Sequence, residues 1–457
     1  MNLRLQTIDA GKWSIITHII VNFTRFASNI ILARMLFPEA FGFIAVSSSI
    51  IIGLVLISDF GVRAVIIRKI EQIEDEFLFS AWTFQILRGF FVWVFLIFNC
   101  LIAFYFTSNN LLSNFGIFSD PNLYLYTIVM GFSIIINGFE SSNVHNSIRN
   151  LDIKSVSIIE IISCVFTVIF VISLSYIWPS VWSLVLASVF ASALSVVLTH
   201  TIVPGPKMSI NFDKNHFREI TSIGKWIAAS SAATFITNQS DKIVLGFISY
   251  TSFIGVYYIA KSIIQAFENL SSRLVNTLLL SVLNKSRSDS EEEITSKFYK
   301  FRLPIDIFCA FSGGILFVFG EPIIKILYDV RYNEAGSVLK ILSIGIAVYP
   351  FQLVRGRFTL GGETRIVAMN TIVEAISLVG CMFLGYKLYN LEGAIWGLAV
   401  HRFIPSITML TIASQRDWVR WRIEFRVVLF FGISLVAAKL GIFSLWQLGL
   451  ISEFQNP

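Results

Sequence analysis

Apolar runs of membrane length recur about thirteen times along this chain, which leaves it few folds. An α-helix needs roughly 20 residues to cross about 30 Å of hydrocarbon. Without water to satisfy loose backbone, only helices and closed barrels can span a bilayer, and a barrel would show short alternating segments instead. The runs go from Trp13 to Leu36, Phe41 to Ile67, Phe77 to Phe106, Asn122 to Ser147, Ser155 to Ile177, Pro179 to Val203, Thr221 to Ile248, Thr251 to Leu283, Phe298 to Phe319, Ala335 to Leu360, Ile366 to Tyr389, Leu391 to Ser414 and Phe425 to Leu448. At 55% hydrophobic and 14% charged over 457 residues, the chain is more apolar than a soluble domain. It reads as an all-α polytopic membrane protein. No cleavable leader is expected, since the first run has full membrane length and no Ala-x-Ala site follows it closely.

The net charge of +6 is spread over connections rather than gathered in a patch, which argues against nucleic acid as a partner. Every second connection is basic: Arg4 and Lys12, Arg68 and Lys69, Arg149 and Lys154, Lys207 with Lys214 and Arg218, Lys285 through Lys300, Arg365, and Arg416 with Arg420 and Arg422. The alternate connections carry only Arg34, Lys325, Arg331 and Lys387. By the positive-inside rule the N-terminus is cytoplasmic.

The halves resemble each other. A displacement of about 213 residues lays Ile31 to Pro38 and Phe41-Gly42 on Val244 to Thr251 and Ile254-Gly255, and one residue more lays Glu160 on Glu374 and Trp182 on Trp396. Both halves start on the same side, so the repeat is parallel, with a pseudo-twofold axis along the membrane normal. The expected architecture is a six-helix lobe over 1–204, a cytoplasmic linker over 205–220, a second six-helix lobe over 221–414, a central cavity between the lobes, and an extra C-terminal membrane helix within 415–457.

Charges inside the runs are the candidate site. At about 1.5 Å per residue, Arg25, Arg88, Lys261, His401 and Arg402 fall near midplane, and so does Lys439 in the last run. Asp59, Arg63, Glu140, Glu160 and Arg273 fall toward the cytoplasm, Asp241 and Lys242 toward the outside. Intramembrane cations are costly and usually face a cavity or substrate path. Arg25, Arg88 and Lys261 are therefore the candidate binding set for an anionic, phosphate-bearing ligand, since guanidinium–phosphate contacts are short and charge-assisted. The bland alternative is that they pair with carboxylates as structural glue. Asp59, Arg63, Asp241, Lys242, Glu374 and His401 are candidates for coupling or gating. Asp59 and Arg63, four apart on one expected helix, would neutralise each other, and His401 has the alternative of a hydrogen-bonded core histidine.

No Walker loop, dinucleotide fingerprint or His-Glu-x-x-His motif occurs, so no catalytic residue, metal or cofactor is expected. Gly361-Gly362-Glu363 reads as a turn. The cysteines, Cys100, Cys164, Cys309 and Cys381, read as core residues.

Leu32-Ala33-Arg34 with Leu36, Pro38 and Phe41-Gly42, then Asp59-Phe60-Gly61, Asp241-Lys242 with Leu245-Gly246, Gly255-Val256-Tyr257 with Ala260, and Leu327-Tyr328 with Tyr332, Ala335, Leu339 and Ile341-Leu342 together resemble the polysaccharide transporter family. These are the Wzx-type oligosaccharide-lipid flippases of the superfamily that also holds multidrug exporters. The resemblance implies a bilobed transporter of the bacterial inner membrane. It would carry an undecaprenyl-diphosphate-linked oligosaccharide, a unit of O-antigen, capsule or exopolysaccharide, to the outer leaflet by alternating access, coupled to an ion gradient or the membrane potential. Glycan polymerase and chain-length machinery would be further partners. It also implies a cationic cavity, matched here by Arg25, Arg88 and Lys261. Two alternatives stand beside it. An exporter of amphipathic cations would place acids at midplane. A membrane glycan polymerase or ligase would place catalytic groups in a long external loop, whereas Thr107 to Pro121 holds only Asp120.

Overall fold

The computed structural model describes residues 3–69, 73–275, 279, 283, 286 and 289–447. Among these residues every regular element is helical and none is a strand. Lys285, Arg287 and the end of the last expected span at Leu448 lie outside the described residues, as does the side chain of Arg4. The chain forms two units, Met1–Gly255 and Val256–Pro457.

The first unit holds α1 (Leu3–Met35), α2 (Pro38–Ile57), α3 (Val62–Arg68), α4 (Asp75–Ser108), a 3-10 turn (Gly116–Ser119), α5 (Pro121–Gly138), α6 (Asn143–Arg149), α7 (Ile153–Ile177), α8 (Val181–Ile202), α9 (Lys214–Ile248) and the start of α10 (Thr251–Leu274). The second holds the rest of α10, α11 (Glu291–Leu327), α12 (Glu334–Gln352), α13 (Arg355–Leu360), α14 (Thr364–Val400), α15 (Phe403–Ser414) and α16 (Trp421–Gln447). Local chemistry sets many of the starts. Pro38 and Pro121 open α2 and α5, where a missing N–H costs nothing. Asp213 caps α9 by accepting from the backbone N–H groups of Asn215 and His216. Those two donors hold its carboxyl below the usual range.

Among the described residues 8 helices are long and apolar enough to cross a membrane, or 9 if α5 and α6 count as one span. The difference from the expected number has physical causes. The stretch Thr364–Ser414 is counted there as one apolar piece, yet Tyr389 and Asn390 leave helical geometry inside it, Asn390 at φ 54°, so a turn separates two crossings where the sequence predicts one. Helices α9 and α10 have crossing length but are diluted by polar residues, among them Asn238 and Asp241, and Lys261 and Glu268, while α16 runs into side chains outside the described residues. The chain is a multi-pass helical membrane protein.

Two expected spans are broken, and both breaks bear on the site. The run from Phe41 to Ile67 stops at Ile57 and resumes at Val62. Asp59 Oδ1 accepts from the Gly61 N–H at 2.8 Å, and Gly61 sits at φ 63°, a left-handed conformation that glycine adopts without penalty. Beyond the break, Val62, Val65 and Ile66 are buried against Phe77, Leu78 and Ala81 of α4 and Ile220 of α9. The expected helical pairing of Asp59 with Arg63 is therefore corrected, because the two residues do not share a helix. The second break bends α5 from α6 by 64° across Phe139 to Ser142, with Glu140 at the corner.

Gly361 and Gly362 form the expected turn, Gly362 at φ 77°, and Arg416 grips Glu363 beside it through Nη2 to Oε2 at 2.7 Å. That ion pair holds the Glu363 carboxyl below its usual range. All four cysteines are free, and all but Cys381 are buried.

Candidate functional site

In the first unit the candidate charges sort into four groups. Arg25, on α1, lines a cavity of about 440 Å³ with Glu140 at the α5–α6 corner and Glu160 on α7. Its guanidinium lies within electrostatic range of Cys164, and it makes no ion pair among the described residues. Arg88, on α4, is instead paired with Asp59, Nη1 to Oδ1 at 3.4 Å. The contact puts both side chains at one level, although depth counting places Asp59 nearer the cytoplasm. Arg63 lies within electrostatic range of Glu140 and His145. His145 is buried and its Nε2 is 3.3 Å from Gln85 Nε2. Toward the other end of the unit, Asp241 is buried and Lys242 Nζ donates to Gln239 Oε1 at 2.9 Å.

The Asp59–Arg88 pair is half-exposed, so its intrinsic strength is modest. It nevertheless ties α4 to the Gly61 turn. Replacing either residue with Ala is expected to lower the melting temperature of the purified protein, and the double variant is expected to be no worse than the poorer single one. Additive losses would show the two residues uncoupled.

In the second unit α10 carries Lys261 and Glu268 seven residues apart, two turns along one face. Glu268 Oε1 accepts from Arg402 Nη2 at 2.6 Å, and Arg402 also donates to the Gly345 carbonyl at 3.3 Å. Arg402 is held in the turn between α14 and α15, so it links α10, α12 and that turn. Glu374 lies 3.6 Å from Arg355 and within electrostatic range of Arg402. Lys261 acts on Glu268 at longer range and makes no ion pair among the described residues. His401 is buried, with its Nδ1 donating to the Leu398 carbonyl at 2.6 Å. That is the geometry of a hydrogen-bonded core histidine.

The structure thus brings Lys261, Glu374 and His401 around Arg402 and Glu268 in the second unit, and in the first unit places Arg25 on one cavity with Glu140 and Glu160. Glu268 is absent from the sequence candidates, though its seven-residue spacing from Lys261 was a readable signal. Arg302 and Asp306 are also absent. They form a closed array in which Arg302 Nε donates to Asp306 at 2.8 Å and Arg302 Nη1 and Nη2 donate to Glu424 at 2.8 and 2.6 Å. Arg426 Nη2 donates to Asp306 at 2.8 Å, and the Tyr299 hydroxyl donates to Glu424 at 2.7 Å. Two cations balance two anions with bidentate geometry, and the array joins α16 to α11.

This arrangement of helices, with charges held inside membrane-crossing segments, defines a multi-pass helical membrane protein with ionisable groups at depth. The fold matches the lipid II flippase MurJ in its inward closed conformation, with a TM-score of 0.66 at 14% identity over 96% of this chain and 98% of that one. It also matches an inward-facing multidrug resistance MATE family transporter of the MOP superfamily, with a TM-score of 0.62 at 14% identity over 87% and 94% of the two chains. The sequence is 22% identical over 400 residues to the lipopolysaccharide biosynthesis protein WzxC of Escherichia coli (strain K12), covering 84% of this chain and 77% of that protein. The model of the polysaccharide biosynthesis protein family matches residues 31–337, and the chain belongs to that family.

Proposed function

We propose that this protein is a flippase for an undecaprenyl-diphosphate-linked oligosaccharide, a repeat unit of a surface polysaccharide, moving it from the inner to the outer leaflet of the bacterial cytoplasmic membrane. The observation that carries this reading is Arg25, a guanidinium on a membrane-crossing helix, without an ion-pair partner among the described residues and opening on a cavity whose walls carry several polar side chains. A diphosphate supplies what it lacks, through charge-assisted contacts. Lys261 is the candidate cation of the second unit, and Arg88 is a further candidate of the first once its bond to Asp59 opens. Membership of a polysaccharide biosynthesis family and the likeness to WzxC support the substrate class.

Transport proceeds by alternating access with the N-terminus in the cytoplasm. Moving net charge across the membrane involves about 2.3 kcal/mol per charge per 100 mV, so coupling to the potential or an ion gradient follows naturally. Glu374, loosely held by Arg355, is the coupling candidate of the second unit. The gating candidates are Asp59, Arg63, Asp241 and Lys242, and the product is handed to a glycan polymerase outside.

Glu140 and Glu160 make no ion pair among the described residues, which favours a second reading as an exporter of amphipathic cations. One experiment separates the two. In cells that depend on this protein, Arg25→Ala is expected to cut surface glycan by about tenfold or more, the scale on which a lost charge-assisted contact acts, and to leave resistance to cationic dyes unchanged. Unchanged glycan export sinks the flippase role of Arg25. Lost dye resistance with intact export supports the exporter.

A further inference from the structure

The cavity beside Arg25 carries more polar chemistry than a diphosphate uses. Besides Arg25, its walls hold Glu140, Glu160, Asn137 and the hydroxyls of Ser163 and Thr167. Those two hydroxyls are buried with no hydrogen-bond partner, whereas Ser192 and Thr199, on the same walls, donate to the carbonyls of Ser188 and Val196 at 3.2 and 2.7 Å. Buried polar groups are nearly always paired, so a pair left open on a cavity wall marks where a ligand completes them. Ser163 and Thr167 are one turn apart on α7 and share a face. Arg25 and Glu160 are exposed, so charge lies at the rim and hydroxyls lie deeper.

The mixture selects the ligand. A metal ion needs several converging ligands, and among the described residues no group of three acids, histidines or cysteines is placed to hold one. A lipid tail would bury the carboxylates against hydrocarbon, and a bare anion would meet both of them. A polyhydroxylated ring both donates and accepts at many points: its hydroxyls donate to Glu140 and Glu160 and accept from Arg25, Asn137, Ser163 and Thr167. The volume of about 440 Å³ falls within the range of small-molecule sites, roughly 300–1,000 Å³.

We infer that this cavity is a saccharide subsite, taking the sugar ring next to the diphosphate while Arg25 at its rim holds the phosphate. The inference rests on the flippase reading, and names the part of the first unit that reads the glycan.

The test measures binding of two probes to the full chain in lipid nanodiscs: undecaprenyl diphosphate alone, and undecaprenyl diphosphate bearing one hexose, with glucose and galactose tried in turn. The expected result is that at least one hexosyl lipid binds about tenfold tighter than the bare lipid, as a site built to pair hydroxyls discriminates against a ligand without them. The Ser163→Ala/Thr167→Val double variant is expected to bring that ratio below about threefold. Ala191→Trp, which fills the same cavity, is expected to do likewise. Arg25→Ala is expected to weaken both lipids alike. Equal affinity of wild type for the bare and both hexosyl lipids overturns the saccharide subsite and leaves the flippase reading standing. An unchanged ratio in both cavity variants also overturns it. Binding of none of the lipids overturns the flippase reading itself.

Discussion

Arg302→Met is expected to cost about 3–5 kcal/mol, the scale for removing one partner of a buried ion pair, and to abolish recovery of folded protein from detergent extracts. The Arg302 and Asp306 side chains are fully buried and that of Glu424 is 3% exposed. Without the guanidinium, Glu424 keeps only the Tyr299 hydroxyl, and Asp306 only Arg426. An uncompensated carboxylate is then left inside a helical membrane protein. Arg302→Lys keeps the charge but not the fork that serves both carboxylates, so it should fall between wild type and Met. Replacing the array together, as Arg302→Met, Asp306→Leu, Glu424→Met and Arg426→Leu, removes every orphan at once and is expected to recover most of the loss. Thermal unfolding followed by size-exclusion chromatography reads all three. A melting temperature for Arg302→Met within a degree of wild type would show that the array does not hold α16 to α11.

The array also shows what the sequence could and could not convey. Hydropathy places the helices because lipid-facing residues must be apolar along a whole crossing, a constraint that acts locally. The turn at Tyr389–Asn390 and the turn at Gly361–Gly362 were legible for the same reason. Breaks inside an apolar run are harder to see. Asp59-Phe60-Gly61 reads as helix by hydropathy, and only the Asx hydrogen bond and the left-handed Gly61 stop it. Partner choice is less legible still. Arg302 and Asp306 announce themselves as a pair by spacing, but Glu424 and Arg426 arrive from a helix more than a hundred residues later, as the sequence separations of 122 and 120 record. Likewise Arg88 finds Asp59 across 29 residues, which no helical period foretells. The cations at depth were readable from the sequence; which of them keep their charge unspent was decided by packing.

Gly42→Ala and Gly255→Ala are expected to lower stability by about 1–3 kcal/mol each, the usual cost of forcing extra volume into a close contact, and to bring the same change in thiol accessibility. A Cβ on Gly42 would meet the Thr251 carbonyl, and one on Gly255 would meet the Pro38 carbonyl, both well inside van der Waals contact. The obstructing atoms are backbone, so no side-chain rotation relieves them and the helix starts of α2 and α10 must part. The contact is reciprocal under the displacement of about 213 residues that relates Pro38 to Thr251 and Gly42 to Gly255, as a two-fold contact requires. Each variant therefore drives in the same wedge from opposite sides. Together they are expected to cost less than their sum, because the second methyl enters space the first has opened. By the positive-inside reading these helix starts face outward. A Thr251→Cys reporter in either background should then react faster with a membrane-impermeant maleimide than it does with both glycines present. Unchanged labelling together with an unchanged melting temperature would mean that the two helix starts do not touch in the membrane, and the reciprocal contact would cease to support the repeat.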